Sequence, residues 1–167
     1  MHKFSFKPGY YFLTILFCLA LIKNGNAQDV SPKEVVNINV KTEPYYSKDK
    51  IIEVELNLFI KDGWHINANK PLDDYLTPTV VSLKDTTNIK VTGVKYPVPL
   101  LKKLSFSDVQ LALYENEASI KLELKIKKGF KKSFLKVPGE LQYQPCNNQT
   151  CLFPVFKPFS IELRLKK

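Results

Sequence analysis

Three stretches of this chain alternate apolar and polar residues, and this alternation constrains the fold more than any other feature. Residues 52–60, 118–126 and 161–165 each place an apolar side chain at every second position, with mainly polar side chains between them. A period of two is typical of a β-strand that buries one face, because neighbouring side chains of a strand point to opposite faces. A helix would repeat its apolar positions every three or four residues. The chain is therefore expected to build sheets.

Weaker strand candidates and turn signals fill most of the remaining sequence. The weaker candidates are residues 35–40, 79–83, 89–96 and 140–144. Turn residues separate the candidates at positions 47–49, 61–63, 85–88, 128–129 and 138–139. About seven or eight short strands joined by turns, without a convincing helical stretch, predict an all-β fold, an immunoglobulin-like antiparallel β-sandwich. Residues 96–114 fit neither period, which predicts a long loop of the kind that often carries function.

The first 27 residues have the pattern of a secretory signal peptide. Lys3 and Lys7 precede an apolar run over residues 10–22, and small residues lead up to Ala27 as for a cleavage site. The run is shorter than the roughly 20 residues that a membrane helix needs. We therefore expect a soluble mature domain at residues 28–167, periplasmic or secreted, from which Cys18 has been removed with the signal.

The charge of the chain argues against a nucleic-acid partner. The formal net charge is +9, and removal of three lysines and no acidic residues with the signal leaves +6 on 140 residues. Every cationic residue except Arg164 is a lysine. Base readout favours the planar guanidinium of arginine, so the lysines are interpreted as a solubilising surface or as a source of mild attraction to anionic membrane surfaces.

Two cysteines remain after the predicted cleavage, Cys146 and Cys151, with four residues between them. A pair this close is able to form a disulfide in an oxidising compartment. Closing a six-residue loop constrains the unfolded chain by only about 2 kcal/mol, so the bridge would add little to the fold. Local, exposed disulfides are also those whose reduction potentials permit exchange. The spacing alone leaves two interpretations open, a redox pair or a structural clip of one loop.

Few other residues offer chemistry. A closed zinc site needs four ligands, whereas the mature chain adds only His65 to the two thiols, so neither a metal nor another cofactor is expected. Residues 147–150 are uncharged, which predicts a slow thiol that is activated mainly by docking with a partner. Trp64 and His65 are adjacent and so point to opposite faces of a strand. This favours a buried core position for Trp64 and no proton shuttle from His65 to Cys151.

The segment around the cysteines resembles a known family. Residues 137–146, with the sequence VPGELQYQPC, and then residues 151–154, CLFP, look like the cysteine-bearing hairpin of the N-terminal periplasmic domain of the thiol:disulfide interchange protein DsbD. Upstream, residues 62–67, residues 77–78 and residues 113–115 resemble other recurring stretches of that domain. The resemblance covers roughly residues 35–167.

The resemblance implies an immunoglobulin-like domain that carries electrons. Cys146 and Cys151 would be the redox pair, and Cys151 would form the mixed disulfide. The implied partners are a membrane-embedded, DsbD-like electron donor and periplasmic thioredoxin-like or disulfide-isomerase proteins. The implied shielding loop over the pair consists of Phe106, Ser107, Asp108, Val109, Gln110 and Leu111.

Two departures from the family pattern modify this expectation. The best-known member has five residues between its cysteines, against four here. No membrane domain or thioredoxin-like domain follows in this sequence, so the electron donor is expected to be a separate protein. Two other functions stay open: a secreted immunoglobulin-like binding module whose disulfide is only structural, and an envelope component without exchange chemistry.

Overall fold

The computed structural model describes residues 30–166, and the regular structure of this part is almost entirely β-strand. A 3-10 turn at Pro32–Glu34 precedes the first strand, and residues 30–166 contain no α-helix. The strands are β1 (Val36–Lys41), β2 (Ile52–Ile60), β3 (His65–Asn67), β4 (Val80–Leu83), β5 (Ile89–Lys95), β6 (Leu100–Lys102), β7 (Leu111–Glu115), β8 (Glu117–Ile126), β9 (Phe134–Tyr143), β10 (Pro145–Cys146) and β11 (Val155–Arg164). All pairs formed by these strands are antiparallel.

The strands form three sheets. The largest layers are a four-stranded sheet in the order β1-β2-β8-β5 and a three-stranded sheet in the order β11-β9-β4. A third, small sheet has the order β10-β3-β7-β6. The predicted fold class is confirmed: the domain is an immunoglobulin-like antiparallel β-sandwich.

The alternating segments build the main core. Ile52 lies opposite Leu124, and Leu56 lies opposite Ile120, in the pairing of β2 with β8. These four side chains and Leu163 of β11 are at most 1% exposed. Full burial of an aliphatic side chain stabilises a fold by about 1.5–3 kcal/mol relative to exposure, so these positions hold the layers together.

The small sheet buries both of its faces. Ile66 of β3 and Tyr114 of β7 are paired, and both belong to the main core. Their neighbours Asn67 and Leu113 point to the opposite face, because side chains alternate along a strand. On that face Leu113 joins a second, separate buried cluster. The candidate site lies on this second face, which is covered by loops.

Two sequence predictions about turns and loops are wrong. Residues 138–139 were expected as a turn but lie within β9. Lys84, just beyond the end of β4, donates its N–H to the carbonyl of Pro138 (2.9 Å). The N–H that proline lacks would point to this same side, where β4 has already ended, and proline is tolerated where a neighbouring strand ends. At Gly139 a Cβ atom would overlap the aromatic ring of Phe159, and this close approach explains the glycine inside a strand.

The segment 96–114 was expected as a loop but contains β6 and most of β7. In β6, Leu100 and Leu101 are both exposed, while the first four residues of β7 are all buried. Neither strand alternates between exposed and buried side chains, so neither produces the period of two by which strands are recognised in a sequence.

The predicted signal peptide, residues 1–27, lies outside the described residues. Across residues 30–166, no helix has the length and apolar character required to cross a membrane.

Candidate functional site

The two cysteines face each other in a tight antiparallel hairpin. Cys146 ends β10 and pairs with Cys151 as an isolated β-bridge. Their sulfur atoms are bonded at 2.06 Å, and their Cα atoms are 4.0 Å apart. Backbone hydrogen bonds flank the pair on both sides, from Asn147 N to Thr150 O (2.9 Å) and from Leu152 N to Pro145 O (2.8 Å). The cysteines therefore occupy a non-hydrogen-bonded position, where facing side chains of antiparallel strands come closest.

Asn147 closes the tip of the hairpin. Its Oδ1 accepts hydrogen bonds from the backbone N–H groups of Gln149 (2.8 Å) and Thr150 (2.9 Å). An asparagine side chain that bonds to the backbone two or three residues ahead mimics a backbone turn. The local sequence thus closes the loop without a glycine, while Asn148, Gln149 and Thr150 stay exposed.

The two sulfur-bearing residues differ in exposure. Cys146 is fully buried and packs in the second cluster with Leu104, Leu111 and Leu113. Cys151 is partly exposed at the edge of the same cluster. A molecule that approaches from solvent therefore meets Cys151, while Cys146 lies behind it.

A polar network fixes the hairpin against the neighbouring loop. The Oε1 atom of Gln144 accepts hydrogen bonds from Asn67 Nδ2 (3.0 Å) and Thr77 N (2.9 Å), and its Nε2 donates to Leu152 O (3.2 Å). Asn67, which is fully buried, also donates to Thr77 O (3.1 Å). The Oδ1 of Asn67 lies 3.9 Å from the Sγ of Cys146. The side chains of Gln144 and Asn67 therefore connect the segment after the cysteine loop, at Leu152, to the neighbouring loop at Thr77.

A row of four residues crosses the second face of the small sheet. Cys151 pairs with Cys146, Cys146 pairs with His65 of β3, and His65 pairs with Glu115 of β7. Directly paired residues of antiparallel strands have Cβ atoms about 4.5–5.5 Å apart on the same face. His65 Nδ1 lies 3.0 Å from Glu115 Oε2, and Lys102 Nζ lies 2.8 Å from the same oxygen.

The electrostatics of this row keep His65 neutral and Glu115 ionised. Burial lowers the pKa of His65, and the Lys102 ammonium lowers it further, against the opposing effects of Glu115 and the Asn148 side chain. The hydrogen bond from Lys102 lowers the pKa of Glu115 more than its partial burial raises it. His65 is only 4% exposed, and neither of its ring nitrogens makes a hydrogen bond of good geometry to the described residues, although Nδ1 is close to Glu115.

The sequence-predicted shielding loop lies beside the hairpin. Within it Leu111 is buried against Cys146, Ser107 is half-buried, and the remaining members are exposed: Phe106, Asp108, Val109 and Gln110. Ser105, just before the loop, donates a hydrogen bond from Oγ to the carbonyl of Asn148 at the hairpin tip. Leu104, which precedes the loop in the sequence, is buried in the cluster of Cys146. This residue was not identified from the sequence.

The charged surroundings of the pair were also not foreseen. The residues between the cysteines are uncharged, yet pairing across three strands brings Glu115, Lys102 and His65 to the same face. The sequence offered no reason to expect a proton shuttle from His65 to Cys151, and it did not reveal that His65 is the direct cross-strand partner of Cys146. Trp64, one residue earlier, packs against the main core instead, as its expected opposite orientation requires. Nothing in the local sequence around residue 65 indicates which strand will pair with it.

Comparison with known proteins identifies the family of this domain. The family model for the N-terminal part of thiol:disulfide interchange protein DsbD matches residues 28–162. The chain belongs to this family. No curated protein sequence matches the chain. The DsbD N-terminal match spans the two strongest alternating segments and the complete cysteine hairpin, so the family resemblance stated from the sequence is confirmed.

Two solved structures are similar to this chain, and one of them superposes well enough to establish a shared fold. The N-terminal domain of Neisseria meningitidis DsbD, in its reduced form, is 16% identical, covers 82% of this chain and 92% of its own, and superposes with a TM-score of 0.53. The N-terminal periplasmic domain of Proteus mirabilis ScsB is 13% identical and covers 77% of this chain and 45% of its own, with a TM-score of 0.46. At 16% identity, the Neisseria domain establishes a shared fold, and membership of the DsbD N-terminal family connects the chain to thiol–disulfide interchange.

Proposed function

We propose that this domain is a thiol–disulfide exchange relay in which Cys146 and Cys151 are the redox pair. The observation that carries the proposal is the unequal exposure of one local disulfide, with Cys151 at the surface and Cys146 buried behind it. Such a bridge adds about 2 kcal/mol of loop-closure stabilisation, against roughly 4 kcal/mol for a bridge that joins distant strands, so a local pair is the weaker choice for a structural clip. Membership of the DsbD N-terminal family supports the same chemistry.

The unequal exposure of the two cysteines supports one order of the exchange steps. A thiolate of a reduced donor attacks the Sγ of Cys151, a new intermolecular S–S bond forms, and the Cys146–Cys151 bond breaks with Cys146 leaving as a thiolate. The second thiolate of the donor then attacks the donor's own sulfur in that mixed disulfide, which releases Cys151. Two electrons have passed to the domain, and the donor is now a disulfide.

The reduced domain delivers these electrons by the reverse sequence. Cys151 attacks the disulfide of a target protein, and Cys146 then attacks Cys151 Sγ and releases the target as a dithiol. We assign the donor role to a membrane-embedded, DsbD-like reductase and the target role to periplasmic thioredoxin-like or disulfide-isomerase proteins. This assignment places the mature domain, residues 28–167, in the periplasm after cleavage of the signal peptide near Ala27.

The segment 106–111 is assigned the role of a shield over the pair. Two contacts support it: Leu111 packs in the cluster of Cys146, and Ser105, immediately before the segment, donates a hydrogen bond to the hairpin tip. Replacing residues 106–110 by a glycine-serine linker of the same length should speed the alkylation of Cys151 by iodoacetamide in the reduced protein. An unchanged rate would remove the shielding role while leaving the redox role intact.

Trapping of the mixed disulfide tests the exchange function. The probe is a thioredoxin with a single active-site cysteine, activated as its mixed disulfide with nitrothiobenzoate. In the Cys146→Ser variant, Cys151 should displace nitrothiobenzoate and form a covalent one-to-one adduct that dithiothreitol reverses. The matched control is Cys151→Ser, in which the remaining thiol is buried. Absence of the adduct from both variants, or equal yields from both, would contradict the proposed roles.

A further inference from the structure

His65 occupies a position that the exchange steps described above leave without a role. It is the direct cross-strand partner of Cys146, on the same face of the small sheet, and its other neighbour in that row is Glu115. His65 is 4% exposed, and within residues 30–166 its ring nitrogens have no well-aligned hydrogen-bond partner. Burying such a histidine for packing alone costs free energy. The buried Cys146 faces a complementary difficulty, because a thiolate formed there has lost its contact with water.

We propose that His65 is the acid–base residue for Cys146 and that Glu115 positions it. This inference rests on the proposed exchange function and assigns the proton transfer within it. A cross-strand pair with Cβ atoms about 4.5–5.5 Å apart brings an imidazole nitrogen within reach of a facing sulfur. Catalytic hydrogen bonds are often loose in the resting structure and tighten in the reacting complex, so the poor alignment at His65 does not argue against the role.

Glu115 determines which ring nitrogen is available. Nδ1 is 3.0 Å from the carboxylate, so a small rotation of the ring makes Nδ1 the donor to Glu115 and leaves Nε2 as the acceptor. Lys102 holds the carboxylate in place through the same oxygen, at 2.8 Å. A buried histidine whose one nitrogen is oriented by a carboxylate is a general base in its neutral form.

The proton then moves in balance with the electrons. When Cys151 is joined to a target protein, His65 Nε2 accepts the Cys146 proton as the Cys146 sulfur attacks Cys151 Sγ. The bond between Cys151 and the target sulfur breaks, and the target leaves as a thiolate. In the reverse direction, the imidazolium returns the proton to Cys146 as Cys146 leaves the intramolecular disulfide.

We expect this proton to reach solvent through a cleft beside two neighbours of His65. An open cleft separates residues 103–108 from the hairpin tip and is lined by Lys102 and Asn148, both of which affect His65 electrostatically. The charged groups facing His65 are Glu115 from β7 and Lys102 from β6, and Cys146 faces it from β10. Lys103 and Asp108 lie farther out, along the cleft.

Rapid-mixing kinetics with DTNB separate the step that His65 assists from the step that it does not. Cys151 of the reduced domain first displaces one nitrothiobenzoate from the reagent, and Cys146 then displaces the second from Cys151. The Cys146→Ser variant should show the first phase alone, which assigns the phases. His65→Gln should slow the second phase by about a hundredfold or more at neutral pH, with the first phase unchanged.

The pH profile of the second phase distinguishes proton transfer from packing. In the wild-type domain the rate should fall only as His65 becomes protonated, below its ordinary pKa of about 6.5, since burial lowers that pKa. In His65→Gln the rate should instead rise steadily with pH, because the thiol must ionise unaided. Glu115→Gln keeps the imidazole and should slow the second phase by a smaller factor, and it decides the question if His65→Gln does not fold.

An unchanged second phase in the folded variant would overturn the proposal, as would an equal slowing of both phases. The proposed function fails separately, through absence of the first phase from the wild-type domain. A wild-type domain with two phases and a His65→Gln variant with the same two rates would keep the relay and remove the histidine from it.

Discussion

Replacement of Gln144 by leucine tests the polar network that holds the cysteine hairpin in place. The leucine side chain has a similar volume but forms no hydrogen bonds, so Gln144→Leu removes the bonds to Asn67 Nδ2, Thr77 N and Leu152 O. A hydrogen bond contributes about 1 kcal/mol net, and more when its former partner stays unsatisfied in the interior. Three such bonds at a half-buried site predict a loss of about 3 kcal/mol in the free energy of unfolding.

The strand that ends just before Gln144 offers a matched control. Gln142 of β9 lies two positions before Gln144 and is also half-buried, and no side-chain hydrogen bond of Gln142 is found within residues 30–166. Gln142→Leu should therefore change the free energy of unfolding by less than about 0.5 kcal/mol. Both variants are compared with the wild-type domain by urea denaturation of the oxidised protein, followed through the fluorescence of Trp64. Equal stabilities of the two variants would refute the reasoning that the network anchors the hairpin.

Three further predictions address other parts of the account. In the reduced domain, iodoacetamide should alkylate Cys151 at least about tenfold faster than Cys146, because the thiol of Cys146 is buried. Equal alkylation rates in peptide mass mapping would contradict the assignment of Cys151 as the cysteine that partners attack. Gly139→Ala should lower stability by about 1–3 kcal/mol through overlap with Phe159, and the double variant with Phe159→Leu should recover most of that loss in the same denaturation assay. The free energy of unfolding should fall between pH 7 and pH 5, because the pKa of His65 is lowered in the folded state and the unfolded chain takes up the proton first. His65→Gln should flatten this slope, and an equal slope in both proteins would contradict the burial argument.

The layers of the sandwich could be predicted from the sequence because they have one buried and one exposed face. In β2 and β8 every second residue is apolar and buried, so the sequence shows the period of two. The predicted segments 52–60 and 118–126 match these strands to within one residue. The prediction fails for β9, where a proline and a glycine are typical of turns. Pro138 is tolerated because the neighbouring strand β4 ends opposite it, and Gly139 is required because the ring of Phe159 lies against it. No local sequence pattern reveals either neighbour.

The sheet that carries the site was missed for a related reason. β3 is three residues long and buried on both faces, so His65 is as inaccessible as Ile66 and the strand shows no alternation. β10 contains only Pro145 and Cys146. The two cysteines could be identified from their spacing, whereas their alignment with His65 and Glu115 depends on strand register, which is set by the fold as a whole.

The reduction potential of the Cys146–Cys151 pair tests the central claim most directly. The oxidised domain is equilibrated with glutathione or dithiothreitol buffers of graded ratio, the free thiols are trapped, and the reduced fraction is measured by mass. An exchange relay predicts a potential between about −180 and −270 mV, the range of proteins that pass electrons between disulfides. A potential below about −300 mV would mark a structural disulfide and would contradict the relay.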